Sequence, residues 1–295
     1  VKVARRGARV YAQRHYVLPP ASPGATAEPQ KLLGPVTPQD ALNRLLPSAS
    51  RPLALAVAAF ASPDSARAIV RLDVDAGGFA REGATAAPLD VAIVAVDQTG
   101  RSVASARQTS TITAPRPAAG GAAEVPGRAA EVNVQSRLEL PAGNFQVRVA
   151  VSDPASGAVA SVFSDVTVPE FDRAPLSVSG VTVDVRSPPS ASTVPTTRRV
   201  FRRGEQVRAL LQIYQGTERT DAIAPVSMRV QILDAKGSAV RDQSLPFTEK
   251  TFTNRRADCV ITLPVANLPA GEYLLKLEAS LDRRTAGRAL RFTVE

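Results

Sequence analysis

The sequence has few of the residues on which most enzyme chemistry depends. Its 295 residues include no Trp, one Cys and one His. A single cysteine excludes an internal disulfide framework, and the one histidine, His15, leaves the rest of the chain without the base of a Ser-His-Asp or Cys-His arrangement. CxxC, HExxH and glycine-rich phosphate motifs are also missing. We therefore expect no catalytic residue, no cofactor and no metal.

Long hydrophobic runs are missing as well. No apolar stretch approaches the roughly 20 residues that a membrane helix needs, so we expect no membrane span within this chain. The chain begins at Val1 without a charged-then-apolar leader, and we expect it to be a fragment of a longer protein. Basic residues outnumber acidic ones by 36 to 27, but they are scattered along the chain without interleaved aromatics. A nucleic-acid partner is not expected.

What the sequence does contain is an alternation of period two. Short Val, Ala and Leu runs are separated by 24 prolines and 18 glycines, a pattern typical of many short strands joined by turns. Each run has one apolar and one polar face, as in ARAIVRLDVD at 66–75, and that is the antiparallel pattern. The sequence predicts an all-β chain of two tandem immunoglobulin- or fibronectin III-like sandwiches, at 51–170 and 174–295.

Two motifs recur in the same order and indicate an internal duplication. A DxxG turn occurs at 97–100 and 234–237, and LPAG occurs at 140–143 and 268–271. The spacing between the motifs is nine residues longer in the first copy. We attribute this to the low-complexity tract APRPAAGGAAEVPG, which begins at Ala114 and is predicted to be a long loop.

The residue two places after each LPAG is aromatic, Phe145 in the first copy and Tyr273 in the second. This resembles a tyrosine corner, in which the hydroxyl bonds a backbone group upstream. We predict that bond for Tyr273 and its absence for Phe145. Cys259 alternates with Ile261 and Leu263, so we predict a small buried apolar residue rather than a reactive thiol.

The N-terminal fifty residues differ from the rest. Residues 1–17 are extended and basic, and we interpret them as the last strand of another domain. Residues 18–50 are rich in Pro and Ala and are predicted to be a linker. Within it we predict a short helix at 37–46, with Thr37 as N-cap, Pro38 at the first position, Asp40 in a capping box and Pro47 ending the helix.

The densest charge in the sandwiches is an arginine cluster, a candidate patch for an anionic glycan, a lipid headgroup or an acidic protein. Its members are Arg198, Arg199, Arg202, Arg203 and Arg208, to which Arg283, Arg284, Arg288 and Arg291 could add. The alternative is a set of solvated arginines that protect sheet edges from aggregation. The segment joining the copies supplies only Glu170 and Asp172, too few for an expected calcium site.

Several of these segments resemble the C-terminal part of bacterial VWFA-related acidobacterial-domain proteins. The resemblance rests on Arg6-Gly7, Val10 and Arg14-His15-Tyr16, on TPQDALNRLLP and PLALAVAAF at 37–47 and 52–60, and on VFRRGEQV and IYQG at 200–207 and 213–216. His15 stands where the family pattern usually has Gly. In that family a von Willebrand factor A-like domain precedes a linker, a short helix and β-sandwich regions.

The resemblance implies a secreted or cell-envelope protein that interacts with other proteins. The metal-dependent adhesion motif of von Willebrand A-like domains, Asp-x-Ser-x-Ser, is not in this chain, so no ligand-binding residue carries over. The leading hypothesis is a non-catalytic extracytoplasmic module that holds or spaces such a domain. The alternatives are a module that binds glycan or anionic polymer through the arginine cluster, and an accessory domain of a larger secreted hydrolase.

Overall fold

The structure, a computed structural model, describes residues 37–80, 87–112, 132–186 and 194–295. These residues are almost entirely β structure, with one α-helix and two single-turn 3₁₀ helices, Gly77–Phe79 and Glu249–Thr251. The predicted all-β fold of antiparallel sandwiches is confirmed. The predicted strand at 1–17, the linker up to residue 36 and the whole tract that begins at Ala114 lie outside the described residues.

The first sandwich consists of two sheets, with strand orders β1-β2-β5 and β4-β3-β6-β7, in which all neighbouring strands are antiparallel. Its strands are β1 (Ala54–Phe60), β2 (Ala68–Asp75), β3 (Ala87–Val96), β4 (Ser102–Ile112), β5 (Asn133–Leu140), β6 (Gly143–Asp153) and β7 (Ala158–Val168).

The second sandwich has sheets of order β10-β9-β12-β15 and β11-β17-β16-β13-β14, and β8 pairs with β12. Its strands are β8 (Ser177–Val178), β9 (Thr182–Arg186), β10 (Val194–Pro195), β11 (Val200–Phe201), β12 (Gln206–Tyr214), β13 (Val226–Asp234), β14 (Ala239–Phe247), β15 (Arg256–Leu263), β16 (Gly271–Leu281) and β17 (Arg284–Val294).

The seven strands of the first sandwich recur in the same order as β9, β12, β13, β14, β15, β16 and β17 of the second. In both sandwiches the alternating apolar side chains meet between the two sheets and form a core of their own. Leu72 and Leu89 in the first sandwich and Leu211 and Leu275 in the second are almost fully buried. Each such side chain contributes roughly 1.5–3 kcal/mol, so burial between the sheets is the main stabilising term.

Cys259 lies in the second core and is 2% exposed. Burial raises the pKa of its thiol to about 11, which keeps the sulfur protonated and unreactive at neutral pH. The side chain therefore acts as a small apolar core residue, as its place in the alternating run predicts.

The nine-residue difference between the copies is the net of three differences in length. The connection from β4 to β5 spans residues 113–132, whereas the connection from β14 to β15 spans only 248–255. Strand β4 is also two residues longer than β14. The second copy recovers five residues, because Leu263 ends β15 and its LPAG motif begins only at Leu268. Leu140 thus ends a strand, whereas Leu268 lies outside one.

The predicted helix is correct at its start and too long at its end. It spans Pro38–Asn43, and Thr37 and Asp40 form the capping box, with the Asp40 N–H donating to Thr37 Oγ1 at 3.2 Å. Arg44 is already extended, and Leu45 and Leu46 are exposed.

The early end of the helix has a structural cause. Ala41 and Leu42 pack against the apolar cluster of Ala92, Ala150 and Val159 on the sheet. Arg148 of β6 donates to the carbonyl oxygens of Leu42 (2.9 Å) and Arg44 (3.3 Å). Because a side chain of the sheet satisfies these carbonyls, the helix needs no further turn to do so.

Candidate functional site

The contact between the two sandwiches centres on Tyr214, the last residue of β12. Tyr214 is 1% exposed and packs with the core of the first sandwich, although its strand belongs to the second. Its ring lies 4.8 Å from that of Phe171, at a tilt of 59°. Its hydroxyl accepts a hydrogen bond from the Ala61 N–H (3.1 Å) and donates to Gln212 Oε1. We call the contacts around this side chain the junction.

The phenol of Tyr214 stays neutral in this setting. Burial raises its pKa to about 12, and the hydrogen bond from Ala61 offsets part of that effect. A neutral hydroxyl can both donate and accept, and here it does both. The junction therefore has a buried polar group with its hydrogen bonds satisfied, which fixes one arrangement more tightly than apolar contact alone.

The backbones also meet at the junction, at Gly180. Its N–H donates to the Ala59 carbonyl oxygen at 2.8 Å. A Cβ atom at this position would lie 2.5 Å from Ala58 Cα and 2.7 Å from Ala58 Cβ. Strand β1 and residue 180 are thus in van der Waals contact, and only glycine fits between them.

The segment that joins the sandwiches, residues 169–176, is tied to the second sandwich. The Thr217 N–H donates to the Phe171 carbonyl (3.0 Å), and the Glu218 N–H donates to the Asp172 carbonyl (3.1 Å). Phe171 itself is 5% exposed. Such a segment behaves as part of the fold rather than as a flexible linker.

The loop whose N–H groups donate these bonds is itself held in place. Arg255 Nε donates to the carbonyl oxygens of Gln215 (2.7 Å) and Gly216 (2.8 Å), and its Nη1 donates to the Asp221 carbonyl (2.6 Å). Gln215 is 3% exposed and exchanges two hydrogen bonds with the backbone of Ala224. The residues on the second-sandwich side of the junction therefore have little freedom to move.

Polar contacts extend the junction toward β10. Asn133 of the first sandwich donates from Nδ2 to the Pro195 carbonyl at 2.7 Å. Beside it, Gln135 donates to Asp73 Oδ1 at 3.1 Å. Burial raises the pKa of the Asp73 carboxyl, and Gln135 and Arg71 counter part of this effect.

The predicted arginine cluster does not form a single surface. Arg198 donates from Nη2 to both oxygens of Glu205, at 2.6 and 2.7 Å. Arg199 donates from Nη1 to the carbonyls of Thr197 (3.1 Å) and Arg198 (2.7 Å). Arg208 pairs with Asp184 at 3.4 Å. Arg198 and Arg199 thus hold the segment before β12 in place, whereas Arg208 links β12 to its neighbour β9.

Arg202 and Arg203 differ from these three. Both are exposed, and within the described residues neither guanidinium has a hydrogen-bond or ion-pair partner. They lie in the turn between β11 and β12, where the Arg202 N–H donates to Glu205 Oε2 at 2.9 Å.

The C-terminal arginines lie in three separate places. Arg283 and Arg284 are at the start of β17, whereas Arg291 is near its end, next to the point where β11 pairs with Thr293. Seven residues of extended strand separate Arg284 from Arg291, about 24 Å. Arg288 instead points inward, with Nε donating to the Ser179 carbonyl and Nη2 to the Val178 carbonyl, both at 2.9 Å.

A depression of about 420 Å³ lies at this end of the second sandwich. Arg199 and Arg291 line it, but so do Asp234 and Glu272. Its charges therefore cancel, which does not favour a strongly anionic ligand.

Both predicted corner residues lie at equivalent places. Phe145 pairs with Val166 across β6 and β7, as Tyr273 pairs with Phe292 across β16 and β17. The Tyr273 hydroxyl donates to the Pro269 carbonyl at 2.9 Å, the bond that a tyrosine corner requires. The preceding glycines, Gly143 and Gly271, have φ values of 145° and 156°, which explains the Gly of LPAG.

Sequence reasoning did not identify Tyr214 and Gly180 as contact residues. Val207, Ala209, Leu211 and Ile213 face the core of the second sandwich, so the alternation puts Tyr214 on the opposite face. A large aromatic residue on the outward face of a strand was the available signal for a contact.

The described residues contain no cluster of three or more His, Cys, Asp or Glu side chains that could hold a metal ion. Within the same ranges, no helix is long and apolar enough to cross a membrane. Glu170 and Asp172 of the joining segment occupy a loop in which Asp172 lies 3.5 Å from Arg173.

No protein-family model matches the chain, and no curated protein matches it. Among solved structures it is similar to dimeric latent PorU from Porphyromonas gingivalis, with 12% identity, a TM-score of 0.29 and coverage of 82% of this chain and 20% of that one. It is also similar to a putative beta-galactosidase from Bacteroides fragilis, with 10% identity, a TM-score of 0.27 and coverage of 76% and 32%. The chain thus spans a third or less of either protein, and likenesses this weak support no functional argument.

Proposed function

We propose that the chain is a non-catalytic structural module that holds two β-sandwiches, and whatever is attached to them, at a fixed separation and orientation. The observation that carries the proposal is Tyr214, which extends from the second sandwich into the core of the first. A chain whose domains moved independently would have no use for a buried, doubly hydrogen-bonded side chain between them.

Three further contacts support the proposal because they restrict different motions. Gly180 brings the two backbones into contact, and Asn133 donates a hydrogen bond to Pro195 of the second sandwich. The carbonyls of residues 171 and 172 bind the joining segment to the second sandwich. In this proposal the protein acts outside the cytoplasm and a von Willebrand A-like domain supplies the binding activity, as the sequence resemblance implies.

The test measures the distance between the sandwiches in solution. Spin labels on Ser102→Cys and Lys250→Cys, both at exposed positions, report that distance, while the buried Cys259 stays unlabelled. We expect one narrow distance distribution. A Gly180→Ala change should broaden it, since the added methyl group clashes with Ala58.

Gly204→Ala is the matched control, because a Cβ atom there meets nothing within 4 Å. It should leave the distance distribution unchanged. A broad distribution in the unaltered protein would reject the proposal of a rigid module.

Binding of an anionic polymer is a second candidate, and the exposure of Arg202 and Arg203 favours it. The site would be smaller than the predicted cluster, because Arg198, Arg199 and Arg208 are held by contacts within the chain. Replacing Arg202 and Arg203 by Ser should weaken retention on heparin at physiological salt. The control replaces Arg51 and Arg137, two exposed arginines outside the cluster, by Ser. Equal losses in both variants would indicate non-specific attraction and reject the site.

The third hypothesis, an accessory domain of a larger secreted hydrolase, stays a prediction.

A further inference from the structure

The free edge of strand β17 is the feature that the proposed function leaves unexplained. β17 pairs with β16 along its whole length, Arg284 to Val294, without a register shift. On its other side it pairs only with β11, at Thr293 and Val294. The rest of that edge, residues 284–292, has no strand partner among the described residues.

The direction of the backbone groups follows from these pairings. The Thr293 N–H donates to the Arg199 carbonyl (2.7 Å) and the Glu295 N–H to the Phe201 carbonyl (2.9 Å), so both N–H groups point away from β16. In an antiparallel ladder alternate residues point the same way. The N–H and C=O groups of Thr285, Gly287, Ala289 and Arg291 therefore also point outward. The Gly287 carbonyl accepts a hydrogen bond from Arg288 Nη1 at 3.0 Å, and the other outward groups have no hydrogen-bond partner among the described residues.

The equivalent edge of the first sandwich is already occupied. There the Ser161 N–H donates to the Ser48 carbonyl at 2.9 Å, and the Ser50 hydroxyl donates to the Val159 carbonyl. Because Gly143 pairs with Val168 as Gly271 pairs with Val294, Ser161 corresponds to Gly287 and Val159 to Thr285. The corresponding N–H of Gly287 and C=O of Thr285 have no such partner among the described residues.

The side chains on and beside this edge indicate the kind of segment that it accepts. β17 contains Arg284, Arg288 and Arg291 and no acidic residue. Arg283 and Arg284 are exposed at one end, and Gly287 and Ala289 leave the outward face unobstructed. Arg291 is exposed at the other end, where Asp234 and Glu272 of the neighbouring depression offset its charge, so the selection for negative charge rests mainly on Arg283 and Arg284. Inward-pointing Arg288 bonds the Val178 and Ser179 carbonyls and so fixes the strand to the opposite sheet.

We infer that the edge of β17 binds an extended, acidic segment of a partner protein by β-strand addition. Main-chain hydrogen bonds to residues 285–291 supply the affinity, and the arginines select a segment of negative charge. A second copy of β17 fits less well, because two such strands side by side bring four exposed arginines together, Arg284 and Arg291 of each strand. The inference goes beyond the proposed function, since the edge can bind whether or not the junction is rigid.

The experiment uses the whole chain and three labelled peptides of equal length in which Thr alternates with Glu, Gln or Lys. We expect the Glu peptide to bind most tightly, the Gln peptide more weakly and the Lys peptide not at all. Hydrogen exchange at the N–H groups of Thr285, Gly287, Ala289 and Arg291 should slow when the Glu peptide is bound.

Ala289→Pro removes one outward N–H donor and leaves the β16 ladder intact, so it should weaken binding by about tenfold or more. Ala289→Ser keeps the donor and should bind as the unaltered chain does. Equal binding by both variants would mean that the arginines alone attract the peptide, and strand addition would be rejected. Absence of Glu-peptide binding would overturn the inference, as would self-association that protects the same N–H groups.

Discussion

Each sandwich has a cross-strand pair of Asp and Gln at one equivalent position, with the two residue types exchanged. In the first sandwich Asp73 of β2 accepts from Gln135 of β5, and in the second Gln212 of β12 donates to Asp258 of β15. The junction explains why the second sandwich has Gln rather than Asp on β12. Gln212 also accepts a hydrogen bond from the Tyr214 hydroxyl. An amide can donate on one side and accept on the other, whereas a carboxylate can only accept.

The comparison shows where the two copies diverged. Positions that face the cores keep their apolar character. The differences lie in the additional strands β8, β10 and β11, in the connections after β4 and β15, and at the junction, the corner and the β17 edge. The shared framework supports the fold, and the unshared residues are where function is to be sought.

The largest expected effect is that of removing the Tyr214 ring. Tyr214→Ala empties a buried site between the two sandwiches and should lower the free energy of unfolding by about 3–5 kcal/mol, as for other buried aromatic residues. Urea denaturation followed by circular dichroism measures this change. Tyr214→Phe keeps the ring but leaves the Ala61 N–H without its partner, so it should cost only about 1–3 kcal/mol. If Tyr214→Ala lowered the free energy of unfolding no more than Tyr214→Phe does, packing of the ring across the junction would contribute little to stability.

A smaller effect is expected at the corner. Tyr273→Phe makes the second sandwich like the first, where Phe145 has no hydroxyl. It removes the hydrogen bond to the Pro269 carbonyl and should lower stability by about 1 kcal/mol. Thermal unfolding detects such a change as a shift of a few degrees. No shift would mean that the ring alone, as in Phe145, is enough to hold the corner.

The smallest effect concerns the exchanged pair and depends on pH. The pKa of Asp73 is raised in the folded protein, so its ionised form is disfavoured there. The carboxyl group of Asp73 therefore stabilises the fold most at low pH, and this contribution is lost as the pH rises from 3.8 through the raised pKa. The Asp73→Asn variant lacks this titrating group. The free energy of unfolding of the variant, relative to that of the unaltered chain, should therefore increase between pH 3 and pH 7. Denaturant unfolding at both pH values measures the difference. If the stability difference between the variant and the unaltered chain were the same at pH 3 and pH 7, the raised pKa of Asp73 would be contradicted.

Much of the fold could be predicted from the sequence because it depends on local alternation. The pattern of Val207, Ala209, Leu211 and Ile213 places a strand and its buried face without further information. The corner at Tyr273 was predictable as well, because its hydroxyl bonds a residue only four places upstream.

The junction could not be predicted because its contacts join distant residues. The Tyr214 hydroxyl and Ala61 are 153 positions apart, and neither residue belongs to a recognisable motif with the other. The contacts of the arginine cluster could not be predicted from the sequence either. Arg198 and Arg202 are close in sequence, yet only the structure reveals that one is held by Glu205 and the other is exposed.

The joining segment has a mechanical consequence. Residues 169–176 are bound to the loop at 217–218, so the chain has no slack between its two halves. Tension that pulls the sandwiches apart would first meet these bonds and the junction, before either sheet begins to unravel. Their release would free at most about 28 Å of chain, given an extended length of roughly 3.5 Å per residue. In a force-extension experiment the module should therefore yield first in one short step, and only later in the long steps of unfolding sandwiches.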